Sequence, residues 1–161
     1  MDDILEMVFD FVSLTERAKN TPASSDELAQ RFALSRMIPG DGSAPGPDDT
    51  DQHSGGIPVQ LTSPGGFESA HLVAVSRDGM RLRLAHPLRA GTVTIVRVIA
   101  TSLGVELAFP CRVEWSDSDQ MGLAFDGVPS RIPLARALSV GWNRPLDLRT
   151  GWGRRTVTAA A

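Results

Sequence analysis

The chain has 161 residues, 42% of them apolar and 22% charged, with a net charge of −3. That is the composition of a globular protein long enough for one domain and an appendage. Cys111 is the single cysteine, which excludes an internal disulfide and a multi-thiolate metal centre.

His53, His71 and His86 are scattered without close carboxylate partners, so no metal site is expected. No apolar run is long enough to span a bilayer, and Met1-Asp2-Asp3 is acidic where a secretory leader is basic. The chain is therefore expected in the cytoplasm, without membrane insertion.

The charge is unevenly placed. Residues 1–56 hold eleven acids and four bases, a net of −7, and residues 57–130 carry a net of −1. Residues 131–161 hold one acid and six arginines, a net of +5. An acidic head and a basic tail can attract each other or face separate partners. The near-neutral centre is not that of a dedicated nucleic-acid binder.

Residues 2–20 predict a helix. Asp3, Glu6, Asp10, Ser13 and Arg17 form one polar stripe, and nearly everything beside it is large and apolar. That apolar surface exceeds the face of about 100° that a surface helix needs. Leu5, Val8, Phe9 and Val12 are therefore the expected interaction surface, for a protein partner, a second copy or the main domain. Thr21-Pro22 breaks this helix. Ser24 with Glu27 three residues on is a capping-box pattern for a second helix ending near Met37. Residues 1–38 thus read as a helical hairpin.

Residues 39–56 have no hydrophobic anchor and many helix and strand breakers, so a flexible linker is expected. Gly40-Asp41-Gly42 within it faintly echoes a phosphate loop, but no strand precedes it and acids surround it. From Ile57 the hydrophobic period becomes two. Strands are predicted at 57–62, 67–75, 80–86, 92–101, 105–116 and 121–127, separated by turn-forming residues, a pattern for an antiparallel barrel or sandwich. Arg81 and Arg83 should point outward together, and Pro110 should mark a bulge or an edge. Pro133 can start a helix from about 132 to 141, closing a barrel unit at 57–142. Residues 143–161 read as a loose basic tail.

Three pieces within residues 57–128 together resemble a PilZ domain. The first, Ala74-Val75-Ser76-Arg77-Asp78-Gly79, is similar to the family's [D/N]-x-S-x-x-G turn with its first residue replaced. The second is Leu88-Arg89-Ala90-Gly91, similar to L-x-x-G before a long apolar strand. The third runs from Val113-Glu114-Trp115 to Gly122-Leu123-Ala124-Phe125 and resembles a closing V-x-W, turn, G-[IVL]-x-F hairpin.

The resemblance implies a six-stranded antiparallel β-barrel with a following helix. It also implies a connection to cyclic di-GMP, which many such domains bind through an R-x-x-x-R segment before the first strand and the [D/N]-x-S-x-x-G turn. Arginine suits that ligand because its planar fork pairs bidentately with phosphate or a guanine edge. Here the place for R-x-x-x-R, about residues 49–57, holds no arginine, and Ala74 offers no side-chain acceptor. Ser76, Arg77, Gly79 and Arg81 are what remains of a ligand corner. Ser76 and Gly79 also suit a plain β-turn, with Gly79 in a backbone conformation that other residues avoid. The arginines also suit a solvated strand face.

Trp115, Phe125 and Phe109 fit core positions of strands. Neither a catalytic triad nor an acid–base pair emerges around Ser76, Asp117 or Asp119, so no enzyme activity is expected. The expected protein is a non-enzymatic adaptor acting through protein contacts in bacterial second-messenger or motility signalling, with no cofactor. The alternative is a cyclic di-GMP receptor using non-standard arginines.

Overall fold

Alternating apolar side chains from Ile57 onward build a closed barrel. The computed structural model describes residues 2–47, 56–63 and 65–135. Two helices, α1 (Asp2–Ala18) and α2 (Ser25–Met37), precede β1 (Ile57–Ser63), β2 (Gly66–Val75), β3 (Gly79–Arg83), β4 (Val93–Ala100), β5 (Val105–Ser116), β6 (Gln120–Phe125) and β7 (Ser130–Pro133). The strands pair antiparallel in the order β4-β1-β2-β3-β6-β5, and β5 returns to β4, closing six strands into a barrel. Val59, Leu61, Leu72, Leu82, Val96, Val98, Leu107, Phe109 and Leu123 fill the interior.

The six expected strands are present with shifted ends, and the region after them differs from expectation. Ser130–Pro133 is a seventh strand paired to Val105–Ala108 of β5, where a helix beginning near 132 was expected. Helical structure starts only at 134–135, and residues 136–161, including the basic tail, lie outside the described residues. Proline at 133 is tolerated because it ends the strand. Pro110 sits in the step of β5 between its two partners on that side, β7 at 105–108 and β6 at 111–116. Its carbonyl accepts from Asp126 N–H, so its missing N–H would face the same interrupted edge.

The apolar side of α1 packs into the barrel of the same chain. Leu5 and Val8 are fully buried and Val12 nearly so, all in one cluster with the strand interior. Phe9 meets Phe109 edge-on at 6.1 Å between ring centroids. Arg131 lies over the Phe9 ring at 4.8 Å and donates to the Glu6 carboxylate at 3.3 Å. Asp2 accepts hydrogen bonds from the hydroxyl and the backbone N–H of Ser102 in the β4–β5 turn. The four residues expected to form an interaction surface thus face the chain's own barrel. The flanking helix α2 begins with the expected capping box between Ser24 and Glu27, yet buries none of its residues.

Candidate functional site

The turn between β2 and β3 is built by Ser76. Its Oγ accepts from the backbone N–H groups of Asp78 at 3.1 Å and Gly79 at 3.2 Å, the local bonding that suits serine to a turn. Gly79 is required for a different reason from the one its turn position suggests. Its φ is not in the left-handed region; instead, a Cβ there would overlap the carbonyl of Leu123 on β6. The glycine permits close strand approach.

Across this corner runs a strap, residues 39–47, the first half of the segment expected as a flexible linker. Arg77 Nη1 donates to the Ser35 carbonyl at 2.6 Å and Nη2 to the Gly40 carbonyl at 2.9 Å. The backbone N–H of Arg77 donates to Pro39 at 2.8 Å. Asp78 accepts from Gly42 N–H at 2.9 Å, and Glu114 from Ala44 N–H at 3.0 Å. Trp115 Nε1 donates to Pro45 at 3.1 Å and Arg81 Nη1 to Gly46 at 2.6 Å. Each of these hydrogen bonds reaches the strap at a backbone group. Residues 48–55, the second half of that segment and most of the place for R-x-x-x-R, lie outside the described residues.

Local geometry places these anchors. A β-bulge between Val113 and Trp115 leaves Glu114 as the extra residue, which turns two consecutive side chains toward the strap. Trp115 is half-buried outside the barrel, not in its core, because its indole lies against Gly122, where any Cβ would collide with it. Gly40 likewise lets the strap approach Arg77 and Asp78, whose side chains a Cβ would strike.

Arg81 was expected on a solvated face and is instead fully buried, because the strap covers the outward side of β3. Arg83 on the same face is half-buried. Ala74 and Ser76 line an open cleft of about 640 Å³ together with Gly40, Asp41, Ser43 and Pro45 of the strap.

Cys111 points into the core, and burial pushes its thiol far above its ordinary pKa, so it holds no thiolate nucleophile. Among the described residues, no group of three metal-ligating side chains converges, and no helix is long and apolar enough to cross a membrane.

A closed six-stranded antiparallel barrel with an S-x-x-G turn between β2 and β3 and a V-x-W hairpin beside it defines the class of protein. Residues 56–138, just over half of the chain, match the PilZ domain, and the chain belongs to that family. No curated protein and no solved structure matched it. Domains of this family are generally non-enzymatic binding or adaptor modules, often acting through protein contacts, so a regulatory or adaptor role related to cyclic di-GMP follows.

Proposed function

We propose that this protein is a non-enzymatic cytoplasmic adaptor that works through protein contacts in second-messenger or motility signalling and does not bind cyclic di-GMP in the usual way. One observation carries the reading. The corner's guanidinium donors, on Arg77 and Arg81, already serve carbonyls of the chain itself, Ser35 in α2 and Gly40 and Gly46 on the strap. A nucleotide phosphate would have to displace those bonds. The acceptor a guanine edge requires is missing at Ala74, and Asp41 sets a carboxylate at the cleft where phosphate charge would arrive.

Isothermal titration of the full chain with cyclic di-GMP tests this. Charge-assisted hydrogen bonds contribute about 1.5–3 kcal/mol each, so losing several weakens binding by orders of magnitude. The expected result is no heat of binding at micromolar nucleotide. A sub-micromolar dissociation constant would overturn the proposal in favour of a receptor using non-standard arginines, a reading favoured by the convergence of Arg77 and Arg81 on one corner. Arg77→Ala and Arg81→Ala would then each abolish the binding.

A further inference from the structure

The second helix is the anomaly of this fold. Six large apolar side chains are substantially exposed among the described residues, and three of them, Leu28 at 47%, Phe32 at 65% and Met37 at 66%, sit on α2. Its 13 residues bury nothing fully. Only Leu34 packs, in part, against the core, while Glu27 reaches Arg17 of α1 at 4.0 Å. At about 100° per residue, Leu28, Phe32, Ala29, Ala33 and Met37 share one outer arc of about 180°, on which Ser25, Asp26 and Arg36 are the polar residues. A surface helix of a monomer carries its polar residues there.

The arc has ordered ends. Asp26 lies on it in the first turn and Arg36 in the last, with the Arg36 guanidinium held over the Phe32 ring at 5.9 Å. The pattern is complementary to its own reverse. When two copies of α2 are set antiparallel about a two-fold axis at the level of residue 31, Asp26 of each comes level with Arg36 of the other. In the same register Ala29 faces Ala33, so the closest approach falls between small residues, and Leu28 and Phe32 flank it. A two-fold contact requires self-complementarity of this kind. A parallel pairing would instead set like charges together at both ends, which disfavours it.

We infer that the outer face of α2 is the contact surface for a second copy of this chain, forming a two-fold dimer of antiparallel α2 helices. The inference rests on the outer face of α2, which is distinct from the Ser35 carbonyl that binds Arg77 of the corner. A helix of this length spans about 20 Å, which limits the buried area to the low end of stable interfaces, so the dimer should form at micromolar concentration.

Sedimentation equilibrium of the full chain over a range of concentrations tests it, with circular dichroism confirming that each variant is folded. The wild type should show a monomer–dimer equilibrium. Asp26→Arg and Arg36→Asp, made singly, should each weaken it at least about tenfold, because each reversal sets like charges together at both ends of the pair. The double variant should restore it, and so should mixing the two single variants. Ala33→Arg should abolish it by blocking the closest approach. A protein monomeric at several hundred micromolar would overturn the inference. So would a dimer indifferent to these changes, which would use another face, or a double variant that fails to restore association, which would rule out the antiparallel register.

Discussion

Two segments outside the barrel strands lie on this barrel, and they are held by opposite kinds of force. Helix α1 is attached by apolar burial: Leu5, Val8 and Val12 are removed from water into the same cluster as the strand interior. The strap at 39–47 has small side chains, of which Ala44 is buried, and is attached through its backbone, which accepts hydrogen bonds from Arg77, Arg81 and Trp115 and donates them to Asp78 and Glu114. Burying a leucine-sized side chain contributes about 1.5–3 kcal/mol; a hydrogen bond to a charged group contributes about as much, but water can replace each of the strap's bonds at this partly exposed surface. The α1 contact should therefore be part of the global fold, while the strap, with one buried apolar side chain, should open locally.

Breaking the α1 side should cost most. Leu5→Ala removes a fully buried side chain and is expected to destabilise the whole protein by about 2–5 kcal/mol, read from urea unfolding. If the loss were under about 1 kcal/mol, α1 would not belong to the cooperative unit. Trp115→Phe on the strap side keeps most of the aromatic volume and removes the donor to Pro45. Global stability should fall by about 0.5–1.5 kcal/mol. Hydrogen exchange should accelerate mainly at the amides of Gly42 and Ala44, which donate to Asp78 and Glu114. Equal acceleration throughout the barrel would mean that the strap does not open separately.

The smallest effect concerns the polar end of α1. Hydrogen bonding from the Ser102 hydroxyl, reinforced by the Ser102 backbone N–H, holds the Asp2 carboxyl below its ordinary value of 3.8. A group whose pKa is depressed on folding stabilises the protein above its unfolded pKa, and that contribution disappears as pH falls through the folded value. Ser102→Ala should thus lower the melting temperature slightly at pH 7, and the difference from wild type should vanish well below pH 3.8. A difference that persisted in acid would assign the Ser102 effect to packing.

The sequence by itself determined whatever depends on side-chain periodicity. Period-two alternation from Ile57 specified six strands, the polar stripe through Asp3, Glu6 and Asp10 defined a helix with an oversized apolar face, and Ser24 with Glu27 marked the start of the second helix. Ser76, Gly79, Trp115 and Gly122 were legible as a family corner because their local geometry needs those residue types. The tertiary structure alone decided where the oversized face of α1 goes, since apolar surface specifies that it will be buried and not against what. It also decided that Arg81 is buried, because the group covering it is a backbone carbonyl from a segment 35 residues away. Ser130–Pro133 became a strand because β5 offered it an edge. Backbone groups are the same in every residue, so contacts made through them leave no pattern in a sequence. The strap was therefore invisible until the fold brought its carbonyls to the arginines.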